Sequence, residues 1–125
     1  MAGVDAETYA RLAPWVAALP EATTVNVNTA PERVLATLAE GLGPQDLEAL
    51  VRGREESPFQ DVEAFLQHDA LAGLAVEPEG LGVTSRHFRV RVTLERDGHT
   101  RHMTAALVRD TRVRVRARSL EGASL

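Results

Sequence analysis

Two periodicities divide the chain. Up to about residue 70, apolar side chains recur at intervals of three and four; from about residue 87 onward they alternate with polar ones. The first regime predicts short helices, the second β-strands, so the expected fold class is α+β.

Asp5 is placed to cap a helix through "AETYARL", and Pro14 opens a second turn before "WVAALP" closes it at Pro20. Tyr9, Leu12, Trp15, Val16 and Leu19 then fall near one face, which predicts a core-facing stripe. After an extended "TTVNVN", Thr29 and Glu32 stand at capping-box spacing with Pro31 in the first turn, predicting a helix from about Pro31 to Glu40. Gly41 suits a left-handed residue that ends this helix. Pro44 begins the next, whose Leu47, Leu50 and Val51 repeat at helical spacing to about Arg54.

The outline is a helix-hairpin-helix with Gly41, Leu42 and Gly43 at its corner. Val25 and Val27 anchor the entry strand, Leu42 plugs the core between the helices, and Asn26 and Asn28 are expected to bond local backbone. "SPFQDVEAFLQH" supplies another cap and a short helix with Phe59, Val62, Phe65 and Leu66 inward. Residues 73–82, within "AGLAVEPEGLG", read as a linker because Gly and Pro punctuate them.

In the alternating half, Asp97-Gly98 forms the centre of a two-residue hairpin loop, whose backbone needs positive φ at both positions. That turn sets Val92 opposite Met103, Val90 opposite Ala105 and Phe88 opposite Leu107, all on one face. A three-residue loop at Arg109 to Thr111 would set Leu107 opposite Val113, Ala105 opposite Val115 and Met103 opposite Ala117. The prediction is a three-stranded antiparallel meander over 83–118, followed by a tail over 119–125. One face carries Phe88, Val90, Val92, Met103, Leu107, Val113 and Val115, and the other carries Arg89, Arg91, Arg112, Arg114, Arg116 and Arg118.

The 125 residues suffice for one domain or two small lobes with a core that needs no staples. No apolar run approaches the ~18 to 20 residues of a membrane span, and "MAGVDAETYA" lacks the regions of a signal peptide, so the chain is expected to be soluble. The absence of cysteine excludes disulfides, thiolate metal sites and cysteine nucleophiles.

The net charge of −4 hides an asymmetry. Residues 21–72 hold ten acidic side chains against three arginines, whereas ten arginines face four acids from Leu81 onward. All fourteen basic residues are Arg, which reflects genomic base composition more readily than a need for guanidinium chemistry.

Catalysis would need a nucleophile, a base and an orienting group gathered together, and the sequence offers no such set. His68 ends a helix, His87 and His102 fall on the polar face of the sheet, and His99 flanks a hairpin turn, all ordinary surface positions. The acids of "EGLGPQDLEAL" and "GREESPFQD" lack the spacing and central Gly of a calcium loop, so no metal or cofactor is expected. Backbone N–H groups at the Gly-rich corner could meet a phosphate, and the arginine-rich sheet face could take phosphates or an acidic partner, which makes a small nucleic-acid-binding module that uses both the alternative reading. The charge of the surrounding segment, −7, opposes it.

"VNVNTAP", the helical hairpin, "SPFQDVEAFL" and then "LGVTSRHFRVRV" resemble, in that order, the C-terminal half of the general secretion pathway protein K family, the large minor pseudopilins of the bacterial type II secretion system. The resemblance runs from about residue 5 to 118. Competence-type DNA-binding proteins carry a stretch similar to "VNVNTA" but do not continue into "TSRHF" and a meander.

The resemblance implies a sterile-alpha-motif-like helical lobe over 1–72 and returning strands of a pilin-like sheet. It also implies a truncated or split relative that lacks the N-terminal membrane helix and the first half of the helical domain. It further implies a structural role without chemistry: a pseudopilus tip at the periplasmic face of the inner membrane, in contact with other minor pseudopilins, aiding export and assembly. In the family the absent helix covers the apolar sheet face; without it that face is expected to drive self-association. Family members bind calcium through acid-rich loops, and no matching loop occurs in this sequence.

Overall fold

The computed structural model describes residues 3–122. It is α+β and divides into two compact units, Met1–Val83 and Thr84–Leu125, each built around its own contacts.

The first unit begins with α1 (Ala6–Leu12), where the Asp5 carboxylate accepts the Thr8 N–H at 2.7 Å. No second helical turn follows. Pro14 offers no N–H to the ladder, Trp15 bonds back to Leu12 in a simple turn, and residues 16–19 are irregular. The stripe expected to be buried is open: Tyr9 is 58% exposed, Trp15 41% and Val16 47%, with Leu12 and Leu19 also exposed. Spacing fixes which side chains share a face, but the cover must come from elsewhere.

The "TTVNVN" segment is a strand only at β1 (Val25–Asn26). Its partner lies in the stretch expected to be a linker: β2 (Leu81–Gly82) pairs with it in parallel, Val25 opposite Leu81 and Asn26 opposite Gly82. The Val25 N–H reaches Gly80 O at 2.8 Å and the Val27 N–H reaches Gly82 O at 2.9 Å. Leu81 is buried and Val76 packs on the core, so residues 73–82 complete this unit rather than tether it. Gly82 permits the approach, because a Cβ there would stand 2.5 Å from Thr24 Oγ1.

α2 spans only Glu32–Leu35, one turn instead of the three expected. The capping box of Thr29 and Glu32 does not form. Pro31 occupies the N-cap, so Glu32 is the first helical residue and cannot reach back, while the Thr29 N–H turns onto Asn26 O. At the far end Thr37 Oγ1 donates to Val34 O at 2.7 Å and the Thr37 N–H takes the same carbonyl, tightening the chain into turns.

α3 (Pro44–Glu56), with Pro44 in its first turn, is the long helix of the unit and buries Leu47 and Leu50. α4 (Val62–Leu66) is capped by Asp61, whose carboxylate accepts the Ala64 N–H at 2.7 Å, and a single 3₁₀ turn, Asp69–Leu71, follows.

The core consists of Val27, Ala30, Leu35, Leu47, Leu50, Phe65, Leu71 and Leu81, with Phe65, Leu35, Leu50 and Val27 fully enclosed. Each such large side chain contributes roughly 1.5–3 kcal/mol by leaving water. Phe59 meets Phe65 edge-on at 5.3 Å, and its ring also faces His68. His68 Nδ1 accepts the Ala70 N–H, which leaves the ring proton on Nε2.

The second unit is the antiparallel sheet β3 (His87–Arg96), β4 (His99–Arg109) and β5 (Val113–Gly122), in that order. Asp97 and Gly98 take φ of 52° and 76°, as a two-residue hairpin requires. The first register is the expected one: Phe88 opposite Leu107, Val90 opposite Ala105, Val92 opposite Met103.

The second register differs. The loop is Asp110 to Arg112, because the Asp110 carboxylate accepts the Arg112 N–H at 3.1 Å and closes the turn one residue later. Val113 therefore stands opposite Arg109 and Val115 opposite Leu107. A bulge then absorbs Arg116, so that Ala117 opposes Ala106, Arg118 opposes Ala105 and Leu120 opposes Met103. The shift moves Arg118 onto the apolar face, adds Leu120 to it and places Ala117 on the arginine face. β5 continues through residues 119–122, expected as a tail; residues 123–125 of that tail lie outside the described residues.

Candidate functional site

The "VNVNTA" segment is gripped from three sides. Asn26 Oδ1 accepts the Asn28 N–H at 3.0 Å, a local bond of the kind expected. Asn28 itself reaches across the unit. Its Oδ1 accepts the Phe59 N–H at 2.8 Å and its Nδ2 donates to Phe59 O at 2.9 Å, so one amide side chain satisfies both backbone groups of a residue 31 positions away.

Arg54 supplies the third hold. Its Nη1 donates to Val27 O at 3.0 Å and to Ala30 O at 2.7 Å, tying the end of α3 to the carbonyls of the loop. Sequence reasoning used Arg54 only as a helix boundary. Nothing in the sequence sets it apart from Arg52, two residues earlier.

At the corner, Gly41 takes φ of +92°, the left-handed conformation expected of it, and Leu42 is half-buried against the core. The Gly43 N–H donates to Asp46 Oδ2 at 3.0 Å. A carboxylate of the chain itself therefore takes the amide that a bound phosphate would use.

Part of what this unit leaves outward is apolar. A groove of ≈ 660 Å³ runs between α1 and α2, lined by Leu12, Trp15, Val16 and Val34 with Arg11 and Arg33, and the Arg33 guanidinium lies 5.2 Å from the centre of the Trp15 ring. In the sheet no described side chain is buried. Phe88, Val90, Met103, Val113, Val115 and Leu120 are all exposed on one face, while Val92 and Leu107 are half-buried. Arg109 covers part of Phe88, its guanidinium 5.5 Å from the ring centre.

The titratable groups are dispersed. Among the described residues no group of three or more His, Asp or Glu side chains could hold a metal ion. His102 Nδ1 pairs with Thr93 Oγ1 at 3.0 Å on the sheet surface, His87 is half-buried opposite Val108, and His99 follows the first hairpin turn. Among the described residues two carboxylates titrate below their ordinary value, both at turns or caps. Asp5 is held down by the Thr8 N–H, and Asp110 by the Arg112 N–H and then by Arg114. Among the described residues no helix is long and apolar enough to cross a membrane.

Three likenesses to known proteins follow this geometry closely. The family described as type II secretion system, protein K, matches residues 25–84, from the first residue of β1 to just past β2. Type II secretion system protein K of Pseudomonas aeruginosa is 33% identical over 114 residues, which is 90% of this chain and 34% of that protein. The chain thus spans about a third of the length of that curated relative. A chain in the crystal structure of the GspK-GspI-GspJ complex of the enterotoxigenic Escherichia coli type 2 secretion system shares the fold, with a TM-score of 0.67 at 20% identity over 98% of this chain and 45% of that one.

Proposed function

The chain belongs to the type II secretion system protein K family, and on that premise we propose that it is a structural minor pseudopilin, acting by packing against other pseudopilins and not by catalysis. The observation that carries this reading is the exposed apolar sheet face of Phe88, Val90, Met103, Val113, Val115 and Leu120, a surface fit for burial in an assembly. Its partners are minor pseudopilins of the GspI and GspJ kind, after the complex that the solved relative forms. Its place is the tip of the periplasmic pseudopilus, where it aids pseudopilus assembly and exoprotein export.

In this reading the first unit is the closing part of a sterile-alpha-motif-like domain, with α2 and α3 as the arms of a helix-hairpin-helix around Gly41 to Gly43. The hairpin serves packing: Arg54 and Asn28 hold its entry strand, and Asp46 occupies its corner amide. The nucleic-acid alternative finds no support in a corner whose anion-binding amide is already taken.

The test is co-purification of the chain with its I and J counterparts from the same genome, read by light scattering. A stable complex is expected, lost when Val90→Glu and Val115→Glu are introduced together. A chain that ignores both partners, with or without those changes, would sink the proposal. Concentration-dependent dimers of the chain alone would point to self-association through the same face.

A further inference from the structure

The opposite face of the sheet carries a feature distinct from the apolar one. Register places Arg89 opposite Ala106 and Arg91 opposite Thr104, and the bulge sets Arg116 beside Ala117 on the far edge. The centre of this face is therefore low, the β3 rim carries Arg89 and Arg91, and the β5 rim carries Arg114 and the bulged Arg116, followed by Ala117 and Ser119 across from Arg89 and Arg91. Arg89, Arg91 and Arg116 are exposed and have no acidic partner among the described residues, whereas Arg114 is paired with Asp110. Of the acids of this unit, Asp97 and Asp110 lie in turns, and Glu95 shares this face at the hairpin end of β3.

We propose that this arginine-rimmed trough docks an acidic helix of a partner protein. Strands lie about 4.8 Å apart, so the rims on β3 and β5 stand about 10 Å from each other, the width of an α-helix. Along β3, alternate residues such as Arg89 and Arg91 are about 6.8 Å apart, close to the ~6 Å rise between helix positions i and i+4. A helix laid along the strands with carboxylates at that spacing meets successive arginines while its small residues rest on Ala106 and Thr104.

A nucleic acid fits less well. The central strand contributes no arginine to this face, and the exposed ring of Phe88 points to the other one, so no Phe, Tyr or Trp is there for bases to stack on.

The experiment uses the full chain and a fluorescent alanine-rich peptide of about 16 residues with Glu at i and i+4 along one face, followed by anisotropy at low salt. Arg89→Glu with Arg91→Glu is expected to weaken binding by about tenfold or more, and Arg116→Glu by a smaller factor. Arg96→Glu with Arg101→Glu, which changes net charge equally away from the trough, should alter it by less than about twofold.

Equal weakening by the control pair, equal binding of a peptide with the same glutamates scattered around the helix, or no binding at all would each overturn the proposal. So would displacement of the peptide by a short DNA duplex at lower concentration than by unlabelled peptide, which would make the trough a polyanion site.

Discussion

Replacing Arg54 tests whether the fold of the first unit depends on one guanidinium. Its Nη1 bonds two carbonyls, Val27 O at 3.0 Å and Ala30 O at 2.7 Å, both in the part-buried loop against which α3 packs. Hydrogen bonds from a charged donor contribute roughly 1.5–3 kcal/mol, and removing the donor leaves each shielded carbonyl with its desolvation cost. Arg54→Ala should therefore cost about 2–4 kcal/mol, the lower end if water reaches the freed carbonyls. Arg54→Lys keeps the charge but offers a compact ammonium in place of the planar fork, and should recover about half of that.

The assay is urea unfolding followed by circular dichroism at the helical band, to which this unit contributes every helix among the described residues. With a slope near 1 kcal/mol per molar urea, the alanine variant should lower the midpoint by about 2 M or more. A shift below about 0.3 M, or a lysine variant that falls as far as alanine, would refute the idea that two directed bonds hold the loop.

Three further outcomes follow from the same geometry. Asn28→Ala removes both bonds to the Phe59 backbone and should cost about 2 kcal/mol, while Asn28→Asp, which keeps the acceptor but loses the donor, should be no better; both are read from urea midpoints. Gly41→Ala meets a φ of +92° and sets its Cβ 3.2 Å from Leu74, so it should cost about 1–2 kcal/mol, more than Gly73→Ala at φ +76° with open space around it. Asp110 titrates below the ordinary carboxylate value, so its support for the β4–β5 turn is present above the unfolded-state value and is lost as pH falls through the lower folded-state one. Amide exchange at Arg112, corrected for intrinsic rates, should show protection falling only in that acid range, absent throughout in Asp110→Ala and kept without the pH dependence in Asp110→Asn, whose Oδ1 still accepts.

How much of this was legible in the sequence depends on the range of the forces involved. Asp97-Gly98 could be read outright because the turn demands positive φ at two adjacent residues, and the β3–β4 register followed from it. The β4–β5 register could not, since Asp110 closes its loop with a side-chain bond and Arg116 is absorbed by a bulge, and neither leaves a mark in hydrophobic alternation. Residues 73–82 looked like a linker because Gly and Pro are dense there, yet two of them form a parallel bridge to β1, a pairing set by tertiary contact. Tyr9, Trp15 and Val16 were placed on a common stripe without any means of asking what covers it. Arg54 and Asn28 escaped notice as ties because their partners lie 24 to 31 residues away.

The distribution of satisfied and unsatisfied groups bears on function more than any single residue does. In an enzyme or a nucleic-acid binder, the polar groups of the signature motif are turned toward the ligand and the apolar ones pack behind them. Here the order is reversed. Asn26, Asn28, Asp46 and Arg54 all spend their bonds on the chain's own backbone, while Trp15, Phe88, Val113 and Leu120 stand in solvent. A three-stranded sheet with no buried side chain among those described is marginal by itself, since strands become stable when an apolar face is covered. The polar groups of the signature segment are spent on holding its own loop, and one face of the sheet is left apolar and open, which is the arrangement that the proposed packing role requires.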